Sequence, residues 1–356
     1  MYPQLVIDRK KLRHNAEALC RMAMEHGVTD MAFVTKAFSA DEEMVRTIME
    51  APCRYMADSR IENLRRFGDL GKERILLRLP MLSQVEEVVR HAEISFHSEE
   101  KTLRAMDAAA QRLGKIHKVV LMIDLGDLRE GIFFENTEQI MKMVDLVESS
   151  TGLELFGTAF NLTCYGSVLP TVANLSTFLC ITGEIEGHIG RALPFVSGGN
   201  SSSIALLLSG KMPGGINNLR LGEAMLLGRE TAYGQEIPGL FQDVVTLEVE
   251  VVELQTKPSC PIGEIGFNAF GERGSYVDIG PRRRALTAIG RQDMDCSGIV
   301  SLREGISVIG SSSDYLLLDV TDCRASVEVG EILPFRLNYS ALLRGFTSRY
   351  VQRVYR

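Results

Sequence analysis

The sequence lacks tryptophan, and its seven cysteines form no CxxC pair. An odd number of scattered cysteines, from Cys20 to Cys323, argues against a disulfide framework or a structural zinc site and favours reduced thiols. No apolar run approaches the roughly 20 residues that a membrane-spanning helix needs. The N-terminal segment MYPQLVIDRKKL carries charges where a signal peptide has an apolar core. These absences predict a cytoplasmic protein that is not inserted into a membrane.

An excess of positive charge is also missing. Lys and Arg total 39 against 46 Asp and Glu, which gives a formal net charge of −7 and argues against a nucleic-acid partner or an acidic membrane surface. Hydrophobic residues make up 45% and charged residues 24%, which is typical of globular proteins. Because 356 residues exceed the usual size of one core, we expect a large domain and a smaller one.

Strand and helix signals alternate through the first two-thirds of the chain. Helices are predicted at 40–51, 82–92, 98–113, 136–148 and 171–190, and Ser39 is the expected N-cap of the first. The alternation is typical of a parallel sheet, and about eight strands predict an α/β fold, a (β/α)8 TIM-type barrel over residues 9–234. The apolar runs that predict strands are Met31–Val34, Arg54–Ala57, Ile75–Leu79, Ile94–Phe96, Val119–Ile123, Leu153–Ala159, Leu193–Val196 and the run at Leu219.

The pattern changes after about residue 234. The segment 244–254 partly alternates apolar with acidic residues, as a half-buried antiparallel strand does. Short apolar runs follow at 276–279, 285–289, 306–309 and 315–320, separated by turn residues. We therefore predict an all-β C-terminal domain over residues 235–356, joined by an N-terminal strand within residues 1–8.

Lys36 directly follows the first apolar run. In an eight-stranded barrel the C-terminal ends of the strands carry the chemistry, so a lysine at this point is a candidate nucleophile. A surface lysine that merely ends a strand is the other interpretation.

The run from Ser197 to Ser203 follows the seventh apolar run and precedes a predicted helix. Its glycines allow a close backbone approach, and an N-terminal helix turn favours an anion, so the run predicts a phosphate site. The alternative interpretation of the same residues is a polar turn in which serines cap the following helix.

Arg220 and Gly222 follow the eighth apolar run. A guanidinium keeps its proton in proteins, so Arg220 is either half of a salt bridge or a permanent cation that faces a ligand.

Together these residues resemble the fold-type III pyridoxal-phosphate enzymes, the alanine racemase superfamily, and within it the alanine and ornithine racemase-like branch. The resemblance covers nearly the whole chain. The matching segments are Lys36, Asp124–Gly131 (Asp-x-Gly-x-x-Arg-x-Gly), Ser197–Ser203 (Ser-x-Gly-Asn-Ser at its start), Arg220–Gly222 (Arg-x-Gly), Ile289–Asp295 (Gly-Arg-x-x-Met-Asp) and Tyr339.

The resemblance implies a role for each matched residue. Lys36 would form the Schiff base with pyridoxal 5'-phosphate and act as a catalytic base, and Arg129 would bind the substrate carboxylate. Arg220 would face the pyridine nitrogen and keep it unprotonated. Met294 would offer its backbone N–H to the substrate in the partner subunit. The remaining residues implied to bind the cofactor are Asn161, Ser197, Asn200, Ser201, Ser202, Gly222 and Tyr339.

The sequence departs from alanine racemase at two positions. Asn161 stands where a histidine lies behind the cofactor ring, and Phe267 stands where a tyrosine of the opposite subunit is the second base. Phenylalanine has no proton to exchange. The second base therefore stays open. The candidates are Glu264, Asn268, Tyr276 and Asp314. Asp314 is also a candidate to bind a cationic substrate side chain, or is an ordinary turn aspartate.

The resemblance thus implies an amino-acid racemase that exchanges the Cα proton, acting on ornithine or another basic amino acid. The alternatives are alanine as substrate, a cofactor-binding homeostasis protein without turnover, or a decarboxylase on the same scaffold. It also implies a homodimer, in which the β domain of each subunit completes the active site of the other.

Overall fold

The structure, a computed structural model, describes residues 1–68 and 70–356. It contains two compact units, Lys11–Gln242 and the combination of Met1–Lys10 with Asp243–Arg356. The strands are β1 (Gln4–Ile7), β2 (Asp30–Val34), β3 (Tyr55–Asp58), β4 (Glu73–Leu76), β5 (Ile94–His97), β6 (His117–Asp124), β7 (Ile132–Phe133), β8 (Leu153–Ala159), β9 (Phe195–Ser197), β10 (Asn218–Leu221), β11 (Val245–Pro258), β12 (Pro281–Thr287), β13 (Ile299–Ser301), β14 (Ser307–Ser311), β15 (Leu316–Asp319), β16 (Ile332–Leu337) and β17 (Gln352–Tyr355). The helices are α1 (Arg9–Glu25), α2 (Glu42–Met49), α3 (Ile61–Leu64), α4 (Val85–His91), α5 (Glu100–Arg112), α6 (Thr137–Glu148), α7 (Val172–Ile189), α8 (Ile204–Leu208), α9 (Glu223–Leu227) and α10 (Tyr339–Thr347).

The larger unit is a closed parallel barrel. Its strands pair in the order β2-β3-β4-β5-β6-β8-β9-β10, and β10 pairs with β2 to close the ring. Each of the eight predicted apolar runs contributes to one of these strands. The barrel prediction is confirmed. Because all the strands run in the same direction, their C-terminal ends meet at one rim.

Apolar side chains fill the barrel interior. Tyr55 and Phe96 contact Phe195 edge to face, with ring centroids 5.5 and 6.2 Å apart, and all three side chains are buried. Rings in this arrangement contribute about 0.5–1.5 kcal/mol per pair beyond their area burial. The interior is therefore packed, and ligands have access at the rim.

The helix boundaries correct one capping prediction. Ser39 does not cap α2, because it lies in the left-handed region (φ 51°) as the residue that ends the 3-10 turn Lys36–Phe38. Asp41 is the N-cap instead, and its carboxylate accepts from the N–H of Met44. The predicted helix at 82–92 begins as a 3-10 turn and becomes α-helical only at Val85.

The smaller unit is a mixed, mainly antiparallel sheet. Its main path runs β13-β16-β11-β12-β15-β14, and β1 pairs antiparallel with β11 and parallel with β17. The β architecture predicted for the C-terminal domain is confirmed, although this unit also contains the helix α10, and β1 lies in its sheet. The strand predicted at 276–279 is wrong, because these residues form no ladder and Val277 and Ile279 are exposed.

In the part of the chain that the structure describes, no helix has the length and apolar character needed to cross a membrane.

Candidate active site

Lys36 lies at the rim of the barrel, two residues beyond the end of β2 and directly after Thr35. It begins the 3-10 turn Lys36–Phe38 and is exposed. The hydroxyl of Thr35 donates to Oδ2 of Asp58 at 2.6 Å, and its N–H donates to the carbonyl of Ala57 at 2.9 Å. Burial raises the pKa of Asp58, although the hydrogen bond from Thr35 opposes that rise. The buried carboxyl group of Asp58 therefore fixes the position of Thr35, the residue that precedes the lysine.

Arg220 extends from β10 and is almost fully buried, with 3% of its surface exposed. One guanidinium nitrogen, Nη1, donates to Oγ of Ser197 at 2.5 Å. The other, Nη2, donates to the carbonyl of Phe160 and to Oδ1 of Asn161, both at 2.6 Å. The ring of Phe96 lies 5.1 Å from the guanidinium carbon. Burial lowers the pKa of Arg220 to about 10, so it stays a cation at neutral pH.

A second arginine joins this group through a carboxylate. Arg129 donates from Nη2 to Oε1 of Glu130 at 2.6 Å, and its Nε pairs with Oε2 of the same carboxylate. Nδ2 of Asn161 also donates to Oε1 of Glu130, at 2.6 Å. The hydrogen bonds therefore run without a break from Arg129 through Glu130 and Asn161 to Arg220 and Ser197.

The serine-rich loop has a backbone that only small residues allow. Gly199 has φ +95°, and a Cβ there would lie 2.9 Å from Oγ of Ser203. A Cβ on Gly198 would lie 2.5 Å from a side-chain carbon of Ile216. Oδ1 of Asn200 accepts from the N–H of Ser202 at 2.8 Å, which shapes the turn.

One hydroxyl of this loop is buried without a partner. Oγ of Ser202 has no hydrogen bond among the described residues, although Oγ of Ser201 accepts from the N–H of Ala224 at 3.2 Å. A buried hydroxyl without a partner costs free energy unless a ligand satisfies it. An anionic oxygen would do so, so the loop fits a phosphate group.

The sequence did not identify Glu223, which follows Gly222 at the start of α9. Burial raises the pKa of Glu223, while Arg229 and Lys36 oppose that rise. Arg229 donates to Oε1 of Glu223 at 3.4 Å. A carboxyl group thus lies within electrostatic range of Lys36. A glutamate in the first turn of a helix carries no sequence signal that distinguishes it from an ordinary terminal charge.

The aspartates of the Asp124–Gly131 segment shape two loops at the rim. Oδ1 of Asp124 accepts from the N–H groups of Gly126 and Leu128 at 2.9 and 3.1 Å. Asp127 is fully buried, and its carboxylate accepts four backbone N–H groups at 2.9–3.2 Å. The donors belong to Thr163, Cys164, Tyr165 and Val168. The loop that carries Arg129 is therefore hydrogen-bonded, through the carboxylate of Asp127, to the loop that follows Asn161.

Cys164 is a second residue that the sequence did not identify. Its Sγ accepts from Nδ2 of Asn200 at 3.3 Å. Although the residue is exposed, partial desolvation by its neighbours raises the pKa of its thiol, and the positive charges of Arg129 and Lys36 oppose that rise. The thiol therefore lies beside the serine-rich loop, within electrostatic range of both cations.

Several predicted residues belong to the smaller unit. Tyr339 is the first residue of α10, and Met294 is fully buried, with its N–H donating to the carbonyl of Gly290 at 3.1 Å. Oδ1 of Asp314 accepts from Nε2 of Gln292 at 2.9 Å, and its Oδ2 accepts from the hydroxyl of Ser313 at 2.8 Å. The roles of these residues stay predictions.

Three candidates for the second base, Glu264, Asn268 and Tyr276, lie in the exposed segment between β11 and β12, and the fourth, Asp314, lies in the exposed turn between β14 and β15. Glu264 is exposed, and Tyr276 has 53% of its surface exposed. The side chain of Asn268 closes a turn, because its Oδ1 accepts from the N–H groups of Phe270 and Glu272. Phe267 is 77% exposed, so it is not part of a core. The second base therefore stays open.

Residues 7–230 match the family model described as "Alanine racemase, N-terminal domain". The chain is 46% identical over 353 residues to an ornithine racemase from Acetoanaerobium sticklandii, with 99% of each chain covered. It is 37% identical over 357 residues to a lysine racemase from Thermotoga maritima, with 100% of this chain and 99% of the relative covered. The structure also resembles that of an alanine racemase from Bartonella henselae with covalently bound pyridoxal phosphate. That match has a TM-score of 0.74 and 16% identity and covers 100% of both chains.

Proposed function

Because this chain belongs to the alanine racemase family, we propose that it is a pyridoxal-phosphate-dependent racemase of basic amino acids, and thus an isomerase. The observation that carries the proposal is the arrangement around Arg220. A buried cation, a serine-rich loop with an unpaired hydroxyl and an exposed lysine all belong to the strand ends of one barrel. The two curated relatives, which match over almost their whole length, are racemases.

The residues of the barrel fit this cofactor. The loop Ser197–Ser203, with its unpaired Ser202 hydroxyl, and Gly222 would hold the phosphate, and Lys36 would hold the aldehyde carbon. Asn161 would lie against the ring, and Arg220 would face the ring nitrogen. The family resemblance also implies Tyr339 as a ligand of the phosphate. When bound, the cofactor withdraws electron density from Cα of the amino acid and so makes the Cα proton acidic.

The protein's own residues would then control where the proton goes. Lys36 would remove or return the proton on one face of Cα, as a general base and acid. Arg129 would hold the substrate carboxylate with its planar guanidinium. Arg220 stays charged, so it would leave the pyridine nitrogen unprotonated, which favours rapid proton exchange over other reactions at Cα. The group on the opposite face is still to be identified among Glu264, Asn268, Tyr276 and Asp314.

A basic amino acid is the proposed substrate because both curated relatives are named for one, ornithine or lysine. Asp314 is exposed and is the candidate to pair with the side-chain ammonium group. Alanine racemases share the fold at 15–18% identity, which supports the architecture but not the substrate.

A substrate panel with the holoenzyme tests the proposal. L-ornithine, L-lysine and L-alanine are incubated separately, and the enantiomers are resolved by chiral chromatography. We expect D-ornithine or D-lysine to form, and D-alanine to form much more slowly. Release of carbon dioxide would indicate a decarboxylase, and no turnover of any amino acid by a yellow protein would indicate a binding protein.

A further inference from the structure

Glu130 lies between the two arginines of the site, and neither the motif nor the proposed mechanism gives it a role. We propose that Glu130 is a positioning residue: it orients Arg129 and, through Asn161, holds Arg220, so that the two arginines act as one unit. The inference rests on the proposed racemase function and deepens it.

The contact with Arg129 fixes the plane of a guanidinium. Nη2 of Arg129 donates to Oε1 of Glu130 at 2.6 Å, while Nε pairs with Oε2, so both carboxylate oxygens engage one edge of the arginine. Such two-point pairing sets orientation as well as distance. Nη1 has no hydrogen bond within residues 1–68 and 70–356, which leaves it for another anion. The side chain of Glu130 is only 19% exposed, which limits the rotation of the pair.

The contact with Asn161 fixes the orientation of an amide. A carboxylate can only accept hydrogen bonds, so Nδ2 of Asn161 must face Glu130, at 2.6 Å. Oδ1 of Asn161 must then face Arg220, where it accepts from Nη2 at 2.6 Å. A guanidinium can only donate, so Arg220 selects the same orientation of the amide. Glu130 and Arg220 therefore hold the amide of Asn161 between them, with its Nδ2 toward the carboxylate and its Oδ1 toward the guanidinium.

The charges of the cluster support the same role. Arg129 and Arg220 carry two positive charges and Glu130 one negative charge, so the cluster retains one positive charge to meet a substrate carboxylate. Burial lowers the pKa of Arg220, and Glu130 opposes that shift. Neutralising Glu130 would leave a buried cation without this counter-charge and would free the side chain of Arg129.

The test compares three holoenzymes, Glu130→Gln, Glu130→Asp and the matched control Glu135→Gln, an exposed glutamate five residues further along the chain. Kinetics are measured with L-ornithine. Binding of 5-aminopentanoate is measured by calorimetry, because this probe has the carboxylate and the terminal amine of ornithine but no α-amino group. We expect Glu130→Gln to lose about 10- to 100-fold in kcat/KM, the scale of a misplaced reactant. Its Kd for the probe should rise about tenfold with the loss of an oriented guanidinium.

The charged variant keeps the proposal testable if Glu130→Gln folds poorly. Glu130→Asp should lose less in kcat/KM than Glu130→Gln, because the charge stays while the reach shortens. Glu135→Gln should match the wild type. A double variant adds a readout that a purely structural role would not give. In an Arg129→Lys background, Glu130→Gln should cost less than about threefold, since coupled residues are not additive.

Unchanged or tighter binding of the probe by Glu130→Gln would overturn the proposal, because Glu130 would then compete with the ligand for Arg129. An equal loss in the wild-type and Arg129→Lys backgrounds would overturn it as well. If the wild type racemises ornithine and Glu130→Gln does not differ from it, only this inference fails. If the wild type racemises no basic amino acid, the proposed function fails.

Discussion

At the scale of single residues, the site depends on a buried cation that neutral oxygens surround. Arg220 donates to a hydroxyl, a backbone carbonyl and an amide oxygen, and among the surrounding charges Glu130 does most to oppose the fall in its pKa. Arginine suits this position because its planar guanidinium directs several N–H donors at fixed angles. The compact ammonium group of lysine cannot reach the same set of acceptors.

Arg220→Lys is therefore expected to fold less stably and to lose activity. The ammonium group cannot reach Ser197, Phe160 and Asn161 together, so at least one buried acceptor loses its partner, at a cost of about 1–3 kcal/mol in unfolding free energy. Urea unfolding measures the change, and kcat with L-ornithine should fall in parallel. Arg46→Lys, on the exposed face of α2, is the control and should change neither. A fully stable and active Arg220→Lys enzyme would contradict this role.

The sequence predicted part of this site. Lys36, Ser197 and Arg220 are predicted from local patterns, and Arg129 and Asn161 from the family resemblance. All of these except Lys36 belong to one connected network. The sequence did not identify three further residues of the site: Glu130, whose carboxylate bridges the network, the buried Asp127, which accepts from four backbone N–H groups, and Cys164. Their contacts join loops that are distant in the chain, and an aspartate or glutamate in a loop looks the same in sequence whether it is buried or solvated.

At the scale of elements, strand positions were predicted better than helix starts. Each barrel strand is an apolar run buried on both faces, which is a strong signal. Helix starts depend on one side-chain hydrogen bond, and several nearby residues can supply it. At α2 the sequence favoured Ser39, but the 3-10 turn after Lys36 places Ser39 in a left-handed conformation, and Asp41 takes over.

The strands β5 and β6 carry a buried polar cluster that predicts how stability depends on pH. Oγ of Ser95 lies 2.7 Å from Nε2 of both His97 and His117. Burial lowers the pKa of His97 to about 3 and that of His117 to about 4; for His117, Glu93 opposes the shift and Lys115 adds to it. Both rings are therefore neutral in the folded protein at pH 5, whereas the unfolded chain binds protons at its ordinary pKa of about 6.5.

The unfolding free energy should therefore be highest above about pH 6.5, where both histidines are neutral in the folded and the unfolded chain. As the pH drops from there toward 4, the unfolding free energy should fall by about 1.4 kcal/mol per pH unit for each histidine. Denaturant unfolding between pH 7 and 5 measures this slope. His117→Asn should reduce it, and His26→Asn, which changes an exposed histidine, should leave it unchanged. A slope that His117→Asn does not alter would show that the cluster is protonated in the folded state.

At the scale of the whole molecule, the chain begins and ends in the same unit. β1 pairs with β11 and β17, so the barrel is in effect inserted between a first strand and the rest of the β unit. The sequence indicated this arrangement because a strand signal precedes α1. It did not identify the second catalytic base, because the candidates lie in or beside exposed turns of the β unit, where local patterns do not reveal what they contact.

A homodimer is the expected assembly, since the residues implied to complete the reaction, Met294 and the second base, belong to the β unit. Light scattering of the holoenzyme should give twice the mass of one chain. Dilution below the dissociation constant should lower the specific activity together with the mass. A monomer that retains full specific activity would contradict the sharing of active sites.

The most direct test of the central claim is hydrogen exchange at Cα. L-ornithine is incubated with the holoenzyme in D2O, and deuterium at Cα is measured by mass spectrometry together with optical rotation. We predict that deuterium enters at Cα as rotation decays to zero, and that Lys36→Ala abolishes both. Unlabelled ornithine that keeps its rotation, or full activity in Lys36→Ala, would contradict the account.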